Sequence, residues 1–313
     1  MSKRRIGVLV MSYGTPESLD QVEAYYTHIR RGNPPSSEQL KELKDRYEAI
    51  VGGVFPLRDN TNNQVKALQD QLNTDYPDCE FSCYQGLKHA YPFIENGVQQ
   101  MVEDGITEAI GIVLAPHFST MSVGSYIKRA QEIVDQHAIS MRFVKNYHLH
   151  PLLIQTISNR LTDALAKFPD THQDEIRVVF SAHSLPEKIL EMNDPYPEQL
   201  LETSRAICAK TNVTNWQFAW QSAGRTATPW LGPDILDVLK TISKNEQIKH
   251  VVISPIGFVS DHLEVLYDID IEAQQVAQEL GIQLERTTSL NTDPLYMKVL
   301  ADSVLHLLGD VVQ

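Results

Sequence analysis

Val178-Val179-Phe180-Ser181-Ala182-His183-Ser184-Leu185-Pro186-Glu187-Lys188 is the stretch from which the fold can be read. Its β-branched, apolar start has the composition of a strand buried on both faces. The run ends in small polar residues, and His183 stands where strand gives way to turn. Pro186 suits the first turn of a helix, where a fixed φ and a missing N–H do no harm. Ligands of open α/β sheets bind beyond the carboxyl ends of the strands, so His183 occupies a position where chemistry is usually done. The amino terminus repeats the pattern as Val8-Leu9-Val10-Met11-Ser12-Tyr13-Gly14-Thr15-Pro16-Glu17, with Tyr13 over His183, Pro16 over Pro186 and Glu17 over Glu187.

Strand-like runs extend from these two corners over Ile6–Met11 and Ile176–Ala182, and recur at Phe81–Gln85, Ala109–Ala115, Arg142–Val144, Trp216–Gln221, Val251–Ile256 and Ile282–Glu285. Segments of helical periodicity separate them, among them Pro92–Glu103, Ser125–Gln136, Pro151–Phe168 and Glu198–Lys210. Alternating strands and helices imply parallel sheets joined by right-handed crossovers, an α/β chain. The echo continues: Tyr84-Gln85-Gly86 matches Trp220-Gln221-Ser222, and Val113-Leu114-Ala115-Pro116 matches Val252-Ile253-Ser254-Pro255. Similar features in one order predict two similar α/β units facing across a cleft. The polar connection Phe168-Pro169-Asp170-Thr171-His172-Gln173-Asp174-Glu175 is the expected boundary. It divides the chain into 1–170 and 171–313, with the final helix able to pack back on the first unit.

The balance of the 313 residues, 42% hydrophobic and 21% charged, is that of a globular protein with ample core. No apolar run approaches the roughly 20 residues that cross a bilayer, so membrane insertion is not expected. Lys3-Arg4-Arg5 before Ile6–Met11 superficially resembles a signal peptide, but the apolar run is short and passes straight into the first corner. Three cysteines without paired spacing offer neither a zinc site nor an iron–sulfur cluster, and fit a reducing cytoplasm. A net charge of −13 argues against nucleic acid as partner.

Glu264, Asp268 and Glu272, spaced by four, read as a row along one α-helical face just beyond the strand ending at Ile256. A solvated acidic face and a path for a divalent cation both explain such a row. His183 and Glu264 together form a small nitrogen–oxygen site for an ion such as Fe²⁺, open enough to hand the metal on. His183 could equally serve as a base, its ordinary pKa being near neutrality. Lys88 and His89 follow the end of the second strand, and His117 follows Pro116 after the third, where packing and function are not separable. His28, His148, His150 and His172 read as surface residues. Arg30, Arg31 and Arg46 offer forks for carboxylates, with the flat faces of Tyr25, Tyr26 and Tyr47 nearby. A flat aromatic ligand with several carboxylates suits this half, although solvated helix faces use the same residues.

These stretches closely resemble the ferrochelatase family, in the short branch from Gram-positive bacteria that acts on coproporphyrin III. The resemblance runs along essentially the whole chain. It is carried by Leu9–Pro16, Tyr25–Gly32, Asp45–Glu48, Gly86–His89, Val113–Ser119, Ser181–Pro186, Pro229–Asp234 and His262–Asp268. It implies a chelatase-type fold of two similar Rossmann-like domains with parallel sheets, the first on the porphyrin-binding side and the second on the metal-binding side. His183 and Glu264 match the catalytic and metal-binding pair, with Asp268 and Glu272 continuing the metal path. Tyr13, Arg30, Arg46, Tyr47 and Tyr126 match positions that contact the macrocycle and its propionates, and Lys88 joins them by position. The implied reaction inserts Fe²⁺ into coproporphyrin III to form coproheme in haem biosynthesis. Iron is a substrate there, and no cofactor is permanently bound. A cytoplasmic monomer in transient contact with neighbouring haem-pathway enzymes is expected. The alternatives are a haem or coproheme carrier and a chelatase for another tetrapyrrole such as sirohydrochlorin.

The chain departs from the family pattern in three places. The Gly-Gly-x-Ser-Pro turn reads Gly52-Gly53-Val54-Phe55-Pro56, with Val51 inserted and a propionate-facing hydroxyl lost. Gln-Ser-Glu-Gly reads Gln221-Ser222-Ala223-Gly224, without its carboxylate. Asp-x-Asp-Tyr-Glu-Cys reads Asp268-Ile269-Asp270-Ile271-Glu272-Ala273, keeping the acids in altered surroundings.

Overall fold

In a computed structural model, residues 3–309 are described apart from 51–54, 169–171, 173, 174 and 245–247. The first part of the chain runs β1 (Arg4–Ser12), α1 (Val22–Ile29), α2 (Ser37–Ala49), α3 (Pro56–Asp75), β2 (Cys79–Leu87), α4 (Ile94–Glu103), β3 (Glu108–Val113), α5 (Val123–Val134) and β4 (Ser140–Phe143). The second part runs α6 (Pro151–Leu165), β5 (Ile176–His183), α7 (Lys188–Glu191), α8 (Tyr196–Thr211), β6 (Trp216–Gln221), α9 (Ile235–Ile242), β7 (His250–Ser254), α10 (Leu263–Leu266), a π-helix (Asp268–Ala273), α11 (Gln274–Glu279), β8 (Gln283–Arg286) and α12 (Pro294–Leu308). Each of the eight expected strands is present.

The strands form two four-stranded parallel sheets, ordered β2-β1-β3-β4 and β6-β5-β7-β8. Renumbered from its own first strand, the second order is the same as the first. The central strands are covered on both faces, as parallel strands must be. Ile6, Val8, Leu9, Val10 and Met11 are fully buried in β1, and Val179, Phe180 and Ala182 in β5. Topology is shared, but register is not. Tyr84 lies beside Leu9, whereas its counterpart Trp220 lies beside Ala182 and not beside Val179, which stands over Leu9 in the repeat.

The compact units divide at Tyr147/His148, away from 170/171. Helix α6 belongs with the second unit, where His148 holds Glu202 of α8 at 2.8 Å and Thr203 donates to the His148 carbonyl. His148 is therefore buried and paired, not a surface residue. His150 is the N-cap of α6, accepting from the Leu152 amide. The chain returns to the first unit from Asn291 onward. There the Asn291 carbonyl accepts from Gln64 at 2.8 Å, and the buried Tyr296 of α12 meets the hydroxyl of Tyr147 at 3.1 Å.

Candidate active site

In both sheets the order reverses beside the first strand of the unit, between β1 and β3 and between β5 and β7. This is the switch point at which open α/β sheets bind ligands. In the second unit, His183 is the last residue of β5, and the segment after β7 carries His262 and Glu264. That segment is drawn close by Gly257, whose amide donates to the Ser181 carbonyl at 3.1 Å. A Cβ at Gly257 would sit 2.4 Å from Cβ of Ala182, so only glycine allows this approach.

Nδ1 of His183 lies against its neighbour's Ser184 carbonyl. A carbonyl only accepts, so Nδ1 carries the proton and Nε2 is the atom left to react. Nε2 is 3.4 Å from Oε1 of Glu264. His262 is arranged the same way: its Nδ1 donates to the Ser260 carbonyl at 2.9 Å, and its Nε2 is 3.5 Å from Oε2 of Glu264. One carboxylate is thus flanked by two imidazole Nε2 atoms. Gln221 donates to the Glu264 carbonyl at 2.8 Å while accepting from Ser181 at 2.8 Å, and the Tyr196 hydroxyl donates to the His183 carbonyl at 3.1 Å. Both members of the pair have fixed backbones, with side chains about a third exposed.

Burial alone would discharge both groups, but their mutual attraction prevails. Desolvation opposes the His183 imidazolium; the Glu264 carboxylate, helped by the Ser184 carbonyl and Asp268, raises its pKa to about 9. Desolvation likewise opposes the Glu264 carboxylate, and His183 with His262 carries its pKa well below the usual range. The resting pair is imidazolium and carboxylate.

The acidic row is not one α-helical face. Asp268–Ala273 is a π-helix set between α10 and α11, closed by the Glu272 amide on the Tyr267 carbonyl at 2.9 Å. Four residues overshoot a full turn of α-helix by about 40°; the wider i→i+5 turn offsets that drift. Val265, Ile269, Ala273 and Ala277, also spaced by four, are therefore all fully buried. That strict period of four was the available sequence signal for the wider turn. Asp268 is buried and accepts from Ser222, whose backbone has the unusual φ of 58°. Glu272 is half-buried at the end of the wide turn. Ala223 is exposed, and a Cβ at the adjacent Gly224 would lie 2.3 Å from the ring of Trp230. That ring stands 6.3 Å from the imidazole of His183. His262, Ser222, Gln221 and Trp230 are the residues of this site to which composition and spacing gave no role.

The first unit gathers a different set at the end of β1. Tyr13 follows the strand, 42% exposed, with its ring 4.6 Å from that of His89. His89 in turn meets Nδ1 of His28 at 3.0 Å, and His28 stacks on Phe93. Burial, then Lys88, His28 and Arg129, lowers the pKa of His89 to about 3, so it is neutral. His28 is thus part of this cluster and not an isolated surface residue. Lys88 donates to Ser125 at 2.8 Å and lies 4.9 Å above the ring of Tyr126. Burial, followed by Arg129 and Arg31, lowers its pKa to about 8. Tyr126 itself is buried in the core.

Arg30 is the C-cap of α1, donating to the Asn33 carbonyl at 3.2 Å with its guanidinium 5.6 Å from the ring of Tyr26. Arg46 pairs with Glu42 along α2 at 3.4 Å. Tyr47 is buried, shares a 3.3 Å hydrogen bond with Thr15, and packs on Phe55 at 4.7 Å. Phe55 thereby fills with apolar contact the place where the family has a serine. Gly52, Gly53, Val54 and the inserted Val51 lie outside the described residues.

A family model described as Ferrochelatase matches residues 5–308. The coproporphyrin III ferrochelatase of Staphylococcus saprophyticus is 44% identical over 302 residues, covering 96% of this chain and 98% of that one. That of Staphylococcus aureus is 45% identical over the same shares. Among solved structures, SirB from Bacillus subtilis with Fe3+ superposes with a TM-score of 0.62 at 12% identity, covering 98% of both chains. CbiX, the terminal enzyme of siroheme biosynthesis in denitrifying bacteria, gives 0.55 at 10% identity over 98% of this chain and 100% of that one. At such identities the two structures establish the chelatase fold alone.

Proposed function

The chain belongs to the ferrochelatase family, and from that premise we propose that it inserts Fe²⁺ into coproporphyrin III, forming coproheme and releasing two protons. Coproporphyrin III as substrate rests on the staphylococcal relatives. The chemistry rests on one observation, the His183–Glu264 pair at the end of β5. With Nδ1 committed to the Ser184 carbonyl, Nε2 is the nitrogen of His183 that can take a pyrrole proton or hold iron. It does either only after losing its own proton. An approaching dication favours that loss, since it repels the imidazolium and competes with the proton for the same lone pair. Glu264 then holds the charge that the imidazolium neutralised. One nitrogen and one carboxylate leave coordination positions open, so iron passes on and is not retained.

Asp268 and Glu272 extend the acidic path towards this pair. In the first unit, Arg30, Arg46 and Lys88 serve the propionates and the exposed Tyr13 the macrocycle, while the buried Tyr47 and Tyr126 support Thr15 and Lys88 from beneath. Binding energy from the clamped propionates can support a bent ring whose pyrrole nitrogens are exposed. Iron enters as substrate, without a resident cofactor, in a cytoplasmic monomer that meets neighbouring haem-pathway enzymes transiently. Among the described residues, no helix is long and apolar enough to cross a membrane. Anaerobic turnover with Fe²⁺ on coproporphyrin III and on sirohydrochlorin tests the substrate. Preference for coproporphyrin III is expected; preference for sirohydrochlorin, or tight coproheme binding without turnover, contradicts the reading.

A further inference from the structure

His262, Glu264 and Asp268 lie on one short segment, and both of its flanks are tied to a single side chain. Arg286 ends β8, with its side chain 14% exposed. Its Nε and Nη2 donate to the two carboxylate oxygens of Asp270 at 2.6 and 2.8 Å, a bidentate fork. The same Nη2 is 3.5 Å from Asp261, which also accepts from Ser289 at 2.7 Å. The remaining arm, Nη1, donates to the Thr287 carbonyl at 2.9 Å. Asp261 immediately precedes His262, and Asp270 sits inside the π-helix. One guanidinium, anchored to the sheet, therefore spans the base of the segment that presents the site.

A π-helix has poorer hydrogen bonding than an α-helix and survives where its surroundings hold it. The Arg286–Asp270 fork holds this one from the side, while Ser222 holds Asp268. We propose that Arg286 is a positioning residue for metal uptake, fixing the mutual geometry of His262, Glu264 and Asp268 through Asp261 and Asp270 without touching the metal. The proposal rests on the metal-insertion reading.

Two variants of the full chain test it. Arg286→Lys keeps the charge and loses the planar fork. The double variant Arg286→Met/Asp270→Leu replaces the ion pair by apolar side chains, an exchange that is often neutral for stability where a single deletion is not. For both, KM for Fe²⁺, KM for coproporphyrin III, kcat and melting temperature are measured, with Zn²⁺ affinity of the porphyrin-free protein by calorimetry. Orienting partners of metal ligands typically carry about tenfold to a hundredfold in affinity. The expected result is a rise of about tenfold or more in KM for Fe²⁺, with kcat and the porphyrin KM within about twofold, and a double variant that melts near the parent. Unchanged iron KM in both variants overturns the proposal. So does a joint fall of every parameter with the melting temperature, which is plain destabilisation. If the parent inserts no iron, the functional reading fails separately. Zn²⁺ affinity then decides the inference: unchanged affinity in the variants overturns it, and a loss of about tenfold supports it.

Discussion

Nε2 of His183 faces two claimants, a proton and a metal. Its pKa is raised to about 9 because the Glu264 attraction exceeds the desolvation that opposes it. Iron uptake should therefore improve as pH rises from 6 towards 9, seen as a falling KM for Fe²⁺ in anaerobic assays. A flat profile over that range would contradict the assignment. Stability runs the other way. A raised imidazole pKa stabilises the folded state fully below the unfolded value of 6.5, and that contribution is lost as pH rises through about 9. The lowered pKa of Glu264 contributes above 4.5 and is lost as pH falls. Between pH 7 and 9.5 the metal-free parent should lose more melting temperature than His183→Ala does; parallel losses would contradict the ion pair. Composition marked His183 and Glu264 because a histidine at a strand end and an acid after another strand are local signals. His262 carried none, since its role depends on where its ring points. Tyr126 and Tyr47 were legible as aromatic residues, but not as buried ones.

At the scale of the element, the central strands β1, β3, β5 and β7 were legible because parallel strands covered on both faces are continuous apolar runs. The row Glu264, Asp268 and Glu272 was legible as a row but not as a π-helix. A spacing of four matches an ordinary α-helical neighbour pair, and only the buried series Val265, Ile269, Ala273 and Ala277 discloses the wider turn. The approach of the post-β7 segment to β5 depends on Gly257. Gly257→Ala should cost about 1–3 kcal/mol by overpacking against Ala182, lowering the melting temperature, and should reduce iron insertion by displacing the end of β5. A variant with the parent's stability and activity would show that the close approach is not required.

For the whole molecule, the repeated corners at Tyr13 and His183 disclosed two sheets of one topology. They did not disclose register, because strand pairing is set by packing across each sheet and not by short matches along the chain. The boundary was misplaced for a similar reason. The polar stretch after Phe168 reads as a connection without marking a division. The net charge of −13 attracts Fe²⁺ and repels a ligand rich in carboxylates. Raising ionic strength from about 0.01 to 0.15 M shortens the screening length from roughly 30 to 8 Å. KM for iron should then rise, and no change would show that the global field plays no part. The role proposed for His183 and Glu264 is iron insertion into coproporphyrin III. Its most direct test is anaerobic single-turnover loss of porphyrin fluorescence with Fe²⁺, comparing the parent with His183→Ala and Glu264→Gln. Coproheme formation is expected of the parent, with a loss of at least about a hundredfold in both variants, the usual scale of a proton-transfer group; variants that insert iron at the parent's rate would contradict that role.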